Sequence, residues 1–224
     1  MQPTLRPHVK ICCISSIQEA QLAIKYGAMA LGFVSAMPSG PGVIEESLIA
    51  EIVETLPPTV SSFLLTSRQD VETIIEQQRR CGVNTLQLVD RLETGAYEDL
   101  RVALPGVAIV QVIHVTGNES IVEACSIASH VNSILLDSGN PSLAVKELGG
   151  TGRVHDWKIS RVIRTQVDVP VFLGGGLNAN NVAEAIRRVG PFALDVCSGV
   201  RTHGKLDEIK LAAFFEQVIH ALES

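Results

Sequence analysis

VFLGGGLNANNVAEAIRRV, residues 171–189, is a short apolar run that breaks into three glycines and an Asn-rich turn. The spacing then predicts a helix with Val182, Ala185, Ile186 and Val189 on one face. Glycines at a strand end let backbone N–H groups approach a ligand closely, and a helix start adds unpaired donors and a positive dipole end. Such a place suits a phosphate or carboxylate. By itself the stretch is compatible with a plain tight turn. However, a second turn of the same kind, Cys197-Ser198-Gly199-Val200, follows the very next apolar run.

Outward from this stretch, strand and helix alternate eight times. Short apolar strands are expected at 9–13, 30–34, 60–66, 85–88, 108–112, 133–137, 169–173 and 193–197. Amphipathic runs separate them. Leu48, Ile49, Ile52, Val53 and Leu56 share one face, and Leu211, Phe214, Phe215, Val218 and Ile219 share another. Eight units in 224 residues average about 28 each, near the ~30 of a βαβ unit. Neither linker nor low-complexity stretch interrupts them. The expected fold is α/β, a (β/α)8 TIM barrel, with residues 1–224 forming a single domain. A doubly wound open sheet is the runner-up.

Composition agrees with a large buried sheet. Hydrophobic residues make up 46% of the chain and mean hydropathy is +0.27, yet no apolar run approaches the roughly 20 residues of a membrane span. A net charge of −6 without basic clusters argues against nucleic acid and anionic membranes as partners. The N-terminus has no secretory apolar segment, and five cysteines, an odd number, sit mostly in apolar segments. A reducing, cytoplasmic location is expected. No Cys/His spacing resembles a zinc site, so neither metal nor organic cofactor is expected.

In a barrel, chemistry sits at the C-terminal ends of the strands, and phosphate commonly lies between the loops after strands seven and eight. Those are the two glycine turns, so Gly175, Gly176, Ser198 and Gly199 are the candidate phosphate binders. Strand alternation puts Lys10 and Cys12 on one face, with Ile11 and Cys13 on the other. A cysteine at a barrel mouth can act as a base, although an unperturbed thiol of pKa about 8.5 is only a few per cent thiolate near neutrality. Buried cysteine is also common as plain core. Asp137 follows three aliphatic residues at the end of strand six, where a carboxyl caps a loop, pairs with a cation or faces a ligand. Apolar surroundings would raise its pKa and suit it to general-acid work. Asp195 either pairs structurally with Lys10 or faces the ligand. The glycine-rich stretch 148–157, with the only Trp, is a candidate lid carrying Gly150, Thr151, Gly152 and Arg153. Lys10 as a Schiff-base nucleophile is the less favoured reading.

Together these residues imply proton transfer on a phosphorylated small molecule, with Cys12 and Asp137 facing each other in an aldose-to-ketose conversion. The set Lys10-Ile11-Cys12, Ala30-Leu31-Gly32-Phe33-Val34, Leu135-Leu136-Asp137-Ser138, Gly149-Gly150-Thr151-Gly152 with Asp156-Trp157, Gly175-Gly176-Leu177-Asn178 and Asp195-Val196-Cys197-Ser198-Gly199-Val200 resembles phosphoribosylanthranilate isomerase, nearly end to end. That family of tryptophan biosynthesis performs an Amadori rearrangement on a (β/α)8 barrel. The resemblance implies a cofactor-independent isomerase with Cys12 as general base, Asp137 as general acid and the glycine turns on the substrate phosphate. The expected partner is a phosphorylated small molecule, and a homodimer is left open.

The departures from the family pattern lie in the other half of the site. After the strand-one cysteine the family has Gly and then Ile-Thr; here the run is Cys13-Ile14-Ser15. Its Ser-Pro-Arg, whose Arg is expected on the anthranilate carboxylate, is replaced by Ser39-Gly40-Pro41-Gly42. Its Gln-Leu-His-Gly is Gln87-Leu88-Val89-Asp90, and a basic pair in strand five becomes Gln111 and His114. Either Arg153 or His114 takes over the carboxylate, or the substrate bears a different aglycone. A phosphosugar-binding barrel without catalysis is the alternative from another class.

Overall fold

The computed structural model describes residues 7–92, 94–139, 143, 145–146, 148–150 and 152–221. Eight parallel strands close into a barrel in chain order: β1 (His8–Ile11), β2 (Ala30–Val34), β3 (Ser61–Thr66), β4 (Thr85–Leu88), β5 (Ala108–His114), β6 (Ser133–Asp137), β7 (Val171–Leu173) and β8 (Ala193–Val196). Between and after them run α1 (Ile17–Tyr26), α2 (Glu46–Glu54), α3 (Val71–Cys81), α4 (Thr94–Ala103), α5 (Glu119–Ile127), α6 (Trp157–Gln166), α7 (Val182–Val189) and α8 (Glu208–His220). The expected (β/α)8 barrel is the observed fold. None of the described helices is long and apolar enough to cross a membrane.

The strands are apolar on both sides because both sides are covered. Their outward residues, such as Ile11, Leu31, Leu64 and Ile134, pack with Ile49, Ile74, Phe214 and other residues of the helices. A smaller inner core fills the barrel with Ala30, Phe63, Val110, Leu135, Phe172 and Ala193. Several helices start at the carboxylates that their sequences place there. Asp70 caps α3 by accepting from Thr73 N, and Asp207 caps α8 by accepting from Ile209 N and Lys210 N.

Strand β1 ends at Ile11, two residues earlier than expected, and Cys13 follows with φ +62°. This left-handed backbone overrides the alternation, so Cys13 lies beside Cys12 in the same cavity wall rather than on the outer face.

The seam between first and last strands pairs Lys10 with Asp195 in register. Lys10 Nζ donates to Asp195 Oδ1 at 2.8 Å and lies 5.2 Å from the Phe63 ring centroid, with no exposed surface on the lysine. Burial pulls the amine down, but the charge and hydrogen bond of Asp195, together with the neighbouring Cys12 and Cys13, raise the Lys10 pKa on balance. A lysine held charged in this way has no free amine for Schiff-base chemistry. Removing one partner of a buried pair strands the other charge. Lys10→Met is therefore expected to lose about 3–5 kcal/mol of stability in urea unfolding, and Lys10→Met with Asp195→Leu to recover much of that loss.

Candidate active site

One cavity opens where the strands end. Its wall takes Cys12 from beyond β1, Val34 from β2, Leu65 from β3, Gln87 from β4, Asp137 from β6, Asp195 from β8 and Cys197 from just beyond it. Gly149, Gly150 and Gly152 close one side, and Gly175, Gly176 and Ser198 another. The structure thus brings together Cys12, Asp137, Gly150, Gly152, Gly175, Gly176, Ser198 and Asp195. Gly199 stands just behind this wall. Thr151 lies outside the described residues.

Cys12 is held by its backbone. Its N–H donates to Val196 O at 2.9 Å, and Gly32 faces its sulfur, where an added Cβ would lie 3.0 Å from Sγ. The Arg201 guanidinium donates to the carbonyls of Cys12 and Cys13 at 3.0 and 2.6 Å and pairs with Glu19 at 3.0 Å. Burial works against the charge on Glu19, but hydrogen bonds from Arg201 and Leu206 N hold its pKa below the usual range. This buried clasp fixes the turn that presents both thiols. Next door, Cys13 and Cys197 share a hydrogen bond at 2.7 Å between sulfurs. Hydrogen bonding to Cys12 and Cys197, reinforced by burial, pushes the Cys13 thiol well up, whereas the contact with Cys13 brings Cys197 down.

Asp137 accepts from Ser138 N at 2.8 Å through Oδ1, and Oδ2 faces Gly149, where an added Cβ would lie 2.7 Å away. Loss of water around it pushes its pKa up, against the opposing pull of the Ser138 N–H and His114. A carboxyl in that state keeps its proton to higher pH, as a general acid must.

The glycine turns interlock through their backbones. A Cβ on Gly176 would sit 2.7 Å from the Arg153 carbonyl carbon, and one on Gly199 only 1.9 Å from Leu177 O. Glycine is required at both places by close approach. Among the described residues, the N–H groups of Gly175, Gly176, Ser198 and Gly199 donate to no protein acceptor. The Asn-rich segment serves the turn itself: Asn181 accepts from Asn178 N at 2.9 Å and donates to Gly176 O at 3.0 Å. Contrary to the sequence expectation, the first turn of α7 is not part of the cavity wall, and a 3-10 turn at Ser198–Val200 stands there instead. His155 packs behind Gly175 with Nε2 2.7 Å from Ser160 Oγ. Burial pulls its pKa down to about 4, so it supports the turn as a neutral ring.

The other half of the cavity explains the departure at residue 42. Gly42 has φ +81°, and an added Cβ would lie 2.5 Å from Cys13 Cβ. The Cys13 side chain occupies the space that a side chain at residue 42 would need. Neither suggested replacement cation reaches this region. His114 is buried with Nε2 2.9 Å from Val89 O, and neither it nor exposed Arg153 belongs to the cavity wall. Lys146 pairs with Asp90 nearby, again outside the wall. The described lining contains no Lys or Arg. No cluster of His, Cys, Asp or Glu among the described residues is arranged to hold a metal ion.

Sequence reading missed the roles of Arg201 and Glu19, and it passed over Gln87 and Leu65 as cavity residues. Period-two alternation along β4 signals Gln87, a polar group pointing into an apolar barrel. Nothing local signals a clasp between residues 182 positions apart.

A closed barrel with ionisable side chains and unpaired amides at the C-terminal end of its strands defines a (β/α)8-barrel enzyme for a small substrate. The family described as N-(5'phosphoribosyl)anthranilate (PRA) isomerase matches residues 9–217, and the chain belongs to it. An N-(5'-phosphoribosyl)anthranilate isomerase 2 of Methanosarcina mazei is 36% identical, covering 92% of this chain and 91% of its own length. The crystal structure of phosphoribosyl anthranilate isomerase from Thermotoga maritima superposes with a TM-score of 0.82 at 27% identity, covering 96% of this chain and 99% of that one. A second solved isomerase, complexed with reduced 1-(o-carboxyphenylamino)-1-deoxyribulose 5-phosphate, gives 0.80 at 26% identity, with the same coverage.

Two outcomes test this geometry. Gly42→Ala is expected to destabilise by about 2–4 kcal/mol, from positive φ and from the contact with Cys13. Cys13→Gly in the same chain should recover about 1–3 kcal/mol, a non-additivity read from urea unfolding of the double-mutant cycle. Because the folded pKa of Asp137 is raised, its carboxylate costs stability as pH climbs through the unfolded value of about 3.9. Asp137→Asn should accordingly melt higher than the parent at pH 7, with the difference vanishing near pH 3.

Proposed function

We propose that this chain, working as one barrel domain in the cytoplasm, isomerises N-(5'-phosphoribosyl)anthranilate by an Amadori rearrangement. The observation that carries the reading is one cavity containing Cys12, Asp137 and the glycine turns with unpartnered N–H groups. Family membership supports a phosphate-bearing substrate.

The phosphate sits against the amides of Gly175, Gly176, Ser198 and Gly199, aided by Gly152. With the sugar thus oriented, Asp137 gives its proton to the ring oxygen. The C1–O bond breaks and the aryl nitrogen's lone pair forms the C1=N iminium. Cys12 as thiolate takes the C2 proton, and the electron pair moves through C1 to nitrogen, giving an enaminol. Protonation at C1 and loss of the O2 proton complete the aminoketose. Asp195 holds the floor of the cavity through Lys10. Gly150 and the neighbouring loop cover the sugar.

Cys12→Ala and Asp137→Asn are each expected to lower kcat/KM by about 10²- to 10⁴-fold, the usual range for a lost acid or base. Binding of ribose 5-phosphate, followed as a thermal shift, should persist in both. Parent-like turnover of phosphoribosylanthranilate by both variants would remove the acid–base assignment. A parent protein that binds ribose 5-phosphate but turns over no phosphoribosylarylamine would instead be a non-catalytic binding barrel.

A further inference from the structure

Six buried side-chain polar atoms have no hydrogen-bond partner among the described residues: Gln77 Oε1, Gln87 Oε1, His114 Nδ1, His155 Nδ1, Trp157 Nε1 and Arg201 Nε. Only Gln87 among these residues belongs to the cavity wall that also holds Cys12 and Asp137. A buried polar atom without a partner is unfavourable, and one on a cavity wall can gain its partner from a ligand.

Gln111, on the adjacent strand, shows what a structural glutamine looks like in this fold. It faces outward, accepts from Tyr97 Oη at 2.7 Å and donates to the carbonyls of Leu88, Asp90 and Val112 at 3.0–3.2 Å. Gln87 faces inward and is only 3% exposed, and among the described residues no protein group is bonded to its amide. In the eight-strand ring, β4 lies opposite β8. A ligand anchored by phosphate at the β7 and β8 tips extends its far end across the mouth toward β3 and β4. There it meets Leu65 and Gln87, with Val34 and Met37 supplying apolar cover and no cation among the described wall residues.

Resting on the isomerase reading above, we infer that Gln87 recognises the ortho-amino-carboxylate edge of the aglycone by a two-point amide contact, in place of a cation. An ortho-carboxyphenylamino group presents an N–H donor beside a carboxylate acceptor. A primary amide presents the complement, Oε1 accepting from the N–H and Nε2 donating to the carboxylate. The same contact gives Oε1 a donor and holds the nitrogen next to the carbon that reacts.

The test compares phosphoribosylanthranilate with phosphoribosylaniline, which lacks the carboxylate, on the purified full chain. The parent should prefer the former by about 100-fold or more in kcat/KM, since a site built to hydrogen-bond a group discriminates strongly against its absence. Gln87→Met should cut that preference below about 10-fold, chiefly through a higher KM for phosphoribosylanthranilate, while the aniline substrate, which loses the N–H contact alone, falls by a smaller factor. Gln87→Glu keeps size and the acceptor but places a negative charge against the carboxylate. It should lose anthranilate turnover selectively, and it serves if the Met variant fails to bind ribose 5-phosphate. An undiminished preference in both variants, or equal use of both substrates by the parent, overturns the Gln87 assignment and leaves the isomerase reading standing. A parent inactive on both substrates overturns the isomerase reading, and this inference with it.

Discussion

The buried ion pair between Lys10 and Asp195 is the constraint around which the barrel is arranged. It joins the first strand to the last, and it does so in the interior, where a single unpaired charge would be very costly. Two hydrophobic residues of similar volume would close the seam at least as firmly. What the pair adds is a charged floor: Asp195 reaches the cavity, while Lys10 below it neutralises the carboxylate and lies over the Phe63 ring. Asp137, above, therefore meets an already compensated neighbour, and its raised pKa is set mainly by loss of water.

From that floor upward the cavity divides into two halves built on different principles. The β7–β8 side is backbone: close-packed glycines leave no room for side chains, and their N–H groups donate to no acceptor among the described residues. Such a surface suits any phosphorylated sugar, because it reads charge and geometry rather than identity. The β2–β4 side is side chain, with Val34, Met37, Leu65 and Gln87 in the wall. Here Cys13 has a left-handed backbone and fills the volume beside Gly42, so the chain has no room for a side chain at residue 42. The unsatisfied amide of Gln87 stands in the same wall.

Much of the site is maintained at a cost to stability. An uncharged-favouring pocket around Asp137, an unpaired Gln87 oxygen and a positive φ at Cys13 are each unfavourable locally. The two packed cores and the Arg201–Glu19 clasp over-determine the backbone enough to hold them. The clasp bonds to the carbonyls of Cys12 and Cys13, so it sets where the thiols point without touching the ligand space.

Local pattern determined a large part of this protein. Eight short apolar runs alternating with amphipathic ones specify strands and helices, and three of the strands, 30–34, 85–88 and 133–137, have the bounds that the apolar pattern marks. Alternation from Lys10 placed Lys10 and Cys12 on one face, and the glycine turns at 174–176 and 198–199 marked one side of the cavity, because positive φ and close approach leave few alternatives to glycine. Tertiary structure alone decided what depends on residues far apart in the chain. Whether Asp195 met Lys10, where Cys13 turned once β1 ended, that Arg201 reached back to Glu19, and that His114 and Arg153 stayed out of the wall all follow from closure of the barrel. Closure sets neighbours by three-dimensional register, and a one-dimensional pattern carries no term for a hydrogen bond across more than 180 residues.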